Sequence, residues 1–157
     1  MSRAFVKEHD GDAPDDPPER PVSPHPNFVT ARGLKQIEAQ IRELESAREQ
    51  ARDADDKAIV ARIDRDLRYW LQRKSSARVV TPEPDPSAVR FGVRVRIRYE
   101  DGSERTFTLV GEDEAAPAEG LISWASPIGR GLIGAEVGDE VMLQERRAEI
   151  LGLQPGA

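Results

Sequence analysis

The feature that most constrains this chain is a change of hydrophobic period part-way along it. Leu34, Ile37, Ile41 and Leu44 are spaced three, four and three residues apart, and Val60, Ile63, Leu67 and Trp70 repeat that spacing. Each set predicts an apolar stripe along one face of a helix. Pro82, Pro84 and Pro86 then alternate through residues 81–87, removing amide donors and holding the backbone extended. Beyond them the period drops to two: Phe91, Val93, Val95, Ile97 and Tyr99 alternate with Gly92, Arg94, Arg96 and Arg98. That is the pattern of a strand with one buried face. The two periods need different backbones, so the chain reads as α+β, helices first and a small sheet domain second.

The helical stretch, residues 28–80, contains no proline and one glycine, Gly33. Thr30 is the expected N-cap. Residues 47–58 hold no large apolar side chain, so the seam fades where a tip would lie. An uninterrupted helix, at ~100° per residue, would set the second stripe roughly 80° round from the first, whereas a hairpin lets the stripes face each other. An antiparallel two-helix coiled coil is therefore expected, with arms of ~20 residues projecting ~30 Å. Asp53 is expected to cap its second helix, with Asp55 and Asp56 in the first turn, where the helix dipole favours negative charge.

After a linker at residues 81–88, residues 89–157 carry the sheet. Glu100-Asp101-Gly102-Ser103 reads as a hairpin turn leading into a partner strand over residues 105–110. Residues 121–124, 141–143 and 149–151 are further short strands. One short helix is expected among them, with Ser126 as N-cap, Pro127 at the first helical position and Gly134 as the stop.

The net charge of −6 divides into −3 over residues 1–27, +3 over 28–80 and −6 over 81–157. Residues 1–27 hold six prolines among acidic side chains and are expected to form a mobile tail, Phe5 and Val6 being a short apolar patch within it. The absence of cysteine rules out disulfides, thiolate metal sites and thiol nucleophiles, and both histidines, His9 and His25, fall in the tail. A Ser-His-Asp arrangement would need that tail to supply its base. Neither Gly111-Glu112-Asp113-Glu114 nor Gly129-Arg130-Gly131 has phosphate-loop spacing. No apolar run approaches the ~18 residues of a membrane span, and no secretory signal is evident. The expectation is a soluble, cytoplasmic protein with no membrane association and no enzymatic activity of its own.

What remains is carboxylate chemistry. Asp53, Asp55 and Asp56 are hard oxygen donors suited to Mg²⁺, which is held by one or two protein carboxylates plus substrate oxygens and water. At an exposed tip they could complete a metal site in another macromolecule; the plainer reading is that they cap a helix. Arg94, Arg96 and Arg98 read as the solvated face of a strand, since a charge of −6 opposes tight phosphate binding. Trp124 fits a core position and a binding patch equally well.

The run Leu109-Val110-Gly111-Glu112-Asp113-Glu114, Leu121-Ile122-Ser123, Ser126-Pro127-Ile128-Gly129-Arg130-Gly131-Leu132-Ile133-Gly134 and Val137-Gly138-Asp139-Glu140-Val141 resembles the C-terminal domain of the bacterial Gre transcription elongation factors, GreA and GreB. Phe28-Val29-Thr30-Ala31-Arg32-Gly33-Leu34 resembles the start of the family's coiled coil, and Ile63-Asp64-Arg65-Asp66-Leu67-Arg68-Tyr69 its returning helix. The resemblance implies an FKBP-like C-terminal domain that docks on bacterial RNA polymerase at the secondary channel, through the Ser126-Pro127 region with Trp124 as a neighbour. It implies a coiled coil entering that channel, near nascent RNA or DNA. Acidic tip residues, here Asp53, Asp55 and Asp56, would help position the polymerase's own Mg²⁺ for cleavage of backtracked transcripts, the factor bringing no cofactor itself. Two departures stand out: the family's tip pattern, Gly-Asp followed by Glu-Asn and Tyr, is absent, and the arm is shorter. Losing one 5.4 Å helical turn takes a carboxylate out of the ~2.1 Å reach of Mg²⁺, so cleavage is less tolerant of shortening than docking is. A channel-binding regulator or inhibitor without cleavage is the alternative, as is an interaction module like the regulators of nucleoside diphosphate kinase. An isomerase is disfavoured, because a shared fold does not carry function and the aromatics are wanted in strands. A self-contained hairpin favours a monomer.

Overall fold

The hydrophobic stripes fold as two antiparallel helices. The computed structural model describes residues 16–156, in which α1 (Ala31–Asp53) and α2 (Lys57–Ser76) are joined by a three-residue turn. Ile37, Ile41, Ala51, Ile63 and Leu67 are buried between them, with Leu34, Leu44, Val60 and Trp70 packed at the margins. Each of the large buried side chains stabilises the pair by about 1.5–3 kcal/mol relative to exposure. At 1.5 Å per residue the 23 residues of α1 span ~34 Å. Thr30 caps α1 as expected, its Oγ1 accepting from Gly33 N at 3.0 Å.

The base of this arm is closed by a feature too short to show as a period. Strand β1 (Phe28–Val29) pairs in parallel with β2 (Arg78–Val79), tying the chain entering α1 to the chain leaving α2. Ala88 and Val89 are already buried, so the proline stretch ends against the second domain rather than beyond it.

The second domain is a five-stranded sheet in the order β5-β4-β3-β7-β6. Its strands are β3 (Val93–Tyr99), β4 (Glu104–Val110), β5 (Leu121–Ser123), β6 (Glu140–Leu143) and β7 (Arg146–Pro155). Val93, Val95, Ile97 and Tyr99 of β3 all point into the core and are at most 8% exposed, which is the period of two made physical. β3 pairs antiparallel with both neighbours, Val95 facing Phe107 and Leu153, and the register with β7 shifts between Arg96 and Ile97, leaving Leu151 unpaired. β4 and β5 run parallel. Helix α3 (Pro127–Leu132) follows β5, with Ser126 Oγ accepting from Gly129 N at 3.1 Å. The α+β organisation and the order of its two parts are as the periods predict.

The expected mobile tail differs in its second half. Residues 1–15, with Phe5 and Val6, lie outside the described residues. From residue 16 the chain lies along α2: Arg20 pairs with Asp66 at 3.4 Å, Glu19 with Arg68, and Asn27 is buried against Arg73. Composition did not reveal this because the partners lie more than forty residues away, and because prolines lower the entropy lost on ordering.

Candidate functional site: the arm tip and its seat on the sheet domain

At the tip, the turn comes later than expected. Asp53 is the last residue of α1, and Asp55 sits at φ 53°, in the left-handed region that aspartate tolerates better than most residues. Asp56, not Asp53, caps α2, its Oδ1 accepting from Ile59 N at 3.1 Å. The cap shifts because the left-handed Asp55 reverses the chain, and the next non-helical residue with a short acceptor is Asp56. Such a cap is worth about 1 kcal/mol. Asp53 and Asp55 are exposed and Asp56 half-buried. Among the described residues no three acidic or histidine side chains converge to hold a metal ion. Arg48 Nε reaches Asp64 Oδ1 at 2.5 Å, an ion pair tying the two helices below the tip. A shallow cleft of about 420 Å³ beside the tip is lined by Asp55, Asp56, Lys57, Arg52 and, from the N-terminal segment, Asp16.

The arm is seated on the sheet domain through the run Glu112-Asp113-Glu114, which forms a 3-10 turn after β4. The Glu114 carboxylate, 9% exposed, accepts from Thr30 N at 3.1 Å, from Gly111 N at 3.0 Å and from the Thr30 hydroxyl. It therefore caps the start of α1 from the other domain. Gly33 lets it in: a Cβ there would stand 2.2 Å from the carboxylate carbon. Asp113 accepts from Arg73 Nε at 2.5 Å and from the Tyr69 hydroxyl. Arg73, only 2% exposed, also donates to Asn27 Oδ1 at 2.8 Å and lies 3.7 Å from Glu112. Burial and the Asp113 carboxylate together push the Tyr69 hydroxyl up to about 12. This buried set of charges fixes the arm by geometry rather than by apolar area.

The predicted docking residues lie together around β5 and α3 but differ in exposure. Pro127 is exposed, whereas Ser126 spends its hydroxyl on the α3 cap and on a 2.7 Å bond to Ser123 O. Trp124 is half-buried, its ring 5.2 Å from Phe28 and 5.8 Å from His25 between centroids. It thus joins the sheet domain to the base of the arm. Ile133, Val137 and Met142, near α3 and β6, are 43%, 58% and 60% exposed, an apolar surface the strand patterns did not single out. Arg96 and Arg98 face solvent and pair with Glu104 and Glu149 at 4.0 and 3.8 Å, as a solvated strand face should. The Arg73, Asp113 and Glu114 set was also missed; the one signal was Arg73 standing three residues beyond Trp70, on the buried side of α2.

A helical hairpin seated by carboxylates on a curled β domain defines a two-part factor with an acid-bearing arm. Residues 83–153 match the family described as transcription elongation factor, GreA/GreB, C-term. Transcription elongation factor GreB of Yersinia pestis is 42% identical over 88 residues, covering 55% of this chain and 52% of the relative. Transcription elongation factor GreA of Geobacillus kaustophilus is 47% identical over 68 residues, 43% of each. The chain spans about half the length of the curated relatives it matches. Among solved structures, a GreA/GreB factor from Nitrosomonas europaea overlaps with a TM-score of 0.38 at 25% identity, over 82% of this chain and 98% of that one. GreA factor homolog 1 of Thermus thermophilus gives 0.42 at 19%, over 83% and 99%. The likeness to the GreA/GreB C-terminal domain covers 71 of the 157 residues, those of the sheet domain and the stretch leading into it. No helix among the described residues is long and apolar enough to cross a membrane.

Proposed function

We propose that this protein is a transcription elongation factor that binds bacterial RNA polymerase at the secondary channel and modulates elongation. The observation that carries the reading is the match of residues 83–153 to the GreA/GreB C-terminal domain. The arm supports it: the hairpin is ~34 Å long and its tip holds acids with no apolar seam. In this reading the α3 and β6 surface, with Pro127 exposed and Ser126 holding the helix start, docks on the polymerase, and Trp124 holds that surface to the arm. The protein has no catalytic residue. In this reading the Mg²⁺ and the active site would be the polymerase's, and Asp53 and Asp55 would be the tip carboxylates available to the ion, with Asp56 held as the cap of α2. A monomer suffices, and its place of action is the cytoplasm, where the polymerase is.

A specific observation favours a second reading, channel binding without cleavage. Asp56 is engaged as a helix cap and the three aspartates do not converge. Adding the protein to a stalled, backtracked elongation complex separates the two. Shortening of the RNA by wild type but not by the Asp53→Ala/Asp55→Ala/Asp56→Ala variant supports carboxylate donation. Binding with intact RNA in both supports the regulator, and no binding removes both readings, leaving an interaction module outside transcription.

A further inference from the structure

Residues 16–27 belong to neither half of the GreA/GreB reading, yet they touch both parts of the molecule. Toward the sheet domain, the Ser23 hydroxyl donates to Glu112 Oε1 at 2.9 Å and His25 packs edge-on against Trp124. Toward the arm, Arg20 lies 3.9 Å above the Tyr69 ring while pairing with Asp66, and Glu19 accepts from Arg68 Nε at 2.9 Å. Asn27 closes the lower end on Arg73. The upper end, Asp16 and Pro17, lines the cleft beside Asp55 and Asp56. Pro17, Pro18, Pro21, Pro24 and Pro26 suit an extended backbone, and eleven residue steps at ~3.1 Å reach ~34 Å, the length of α1.

We infer that this segment is a strap that fixes the angle between the arm and the sheet domain, with Arg20 and Glu19 as its positioning residues. Tyr69 couples it to the seat, since the ring that Arg20 covers is the one whose hydroxyl donates to Asp113. The strap thus braces the arm well above its base, where a small force controls a large swing. A 10° rotation at the base of a ~34 Å arm moves the tip by about 6 Å. Its latches are exposed: Glu19 is 64% and Arg68 54% exposed, and Arg68 holds the Glu19 carboxyl below its usual range. Exposed pairs of this kind release readily and weaken with salt.

The free protein tests this without reference to polymerase. The chain has no cysteine, so Ala54→Cys at the tip and Val137→Cys on the sheet domain give two unique sites for spin labels. Dipolar distance measurements should give one narrow distribution in this background, and one broadened or shifted by about 6 Å when Glu19, Arg20 and Ser23 are replaced by alanine, with helix content unchanged. Glu19→Arg should broaden it and Glu19→Arg/Arg68→Glu should narrow it again. A distribution that is already broad in the background, one unmoved by the triple replacement, or one that the charge exchange fails to restore overturns the strap.

Discussion

Replacing Arg73 by methionine keeps the unbranched apolar stem of the side chain and removes the charged guanidinium, which tests whether the seat is held by buried ions. The guanidinium is 2% exposed and serves Asp113 at 2.5 Å, Asn27 at 2.8 Å and Glu112 at 3.7 Å. Without it, Asp113, 11% exposed, keeps only the Tyr69 hydroxyl, and the buried Glu112 Oε2 has no other partner. Breaking a buried pair by removing one member costs about 3–5 kcal/mol, because the remaining charge stays out of water. For a chain of this size that corresponds to a fall in Tm of about 10 °C. Urea unfolding and calorimetry of Arg73→Met measure the loss, and Arg73→Met/Asp113→Leu should recover part of it, since the stranded Asp113 charge is removed while Glu112 and Tyr69 still lack their partners. A loss below about 1 kcal/mol for the single variant, the range of an exposed pair, would refute the assignment of Arg73 to a buried seat.

Three further outcomes follow from the same geometry. Gly33→Ala should destabilise by about 1–3 kcal/mol, as overpacking does, even though alanine is the better helix former, because the new methyl displaces the Glu114 carboxylate; urea unfolding reads the sign directly. Tyr69 is protonated to about pH 12 in the folded protein and to about 10 when unfolded. Its contribution is therefore complete below pH 10 and lost as pH rises from 10 to 12; discounted for the ring's partial exposure it is about 1 kcal/mol, and Tyr69→Phe should remove that part of the alkaline decline. The turn between β6 and β7 holds Gln144 and Glu145 at φ 49° and 67°, so Glu145→Gly should stabilise by about 1 kcal/mol, read as a raised Tm.

Residues that repeat carried the fold, and residues that act across domains did not. Leu34 to Leu44 and Val60 to Trp70 announced two helices, and Val93 to Tyr99 a strand, because burying one face imposes a period. Thr30 and Ser126 were legible as caps because a cap acts within three residues. The Asp56 cap was misplaced to Asp53 because three aspartates near one turn satisfy the same local rule, and only the left-handed Asp55 decides among them. Glu114 and Arg73 act across 84 and 40 residues of sequence, and nothing local to Gly111-Glu112-Asp113-Glu114 distinguishes a seat from a solvated loop. Residues 16–27 read as a tail because few of them are apolar; they are held by charges and by Tyr69 instead.

The central claim, that the arm of a GreA/GreB-type factor enters the polymerase channel, is tested most directly by a photocrosslinking amino acid in place of Ala54 at the tip turn. In a complex with core RNA polymerase, the account predicts crosslinks to the catalytic subunit at residues lining the secondary channel. Crosslinks confined to the outer surface of the polymerase, or none at micromolar protein, would contradict it.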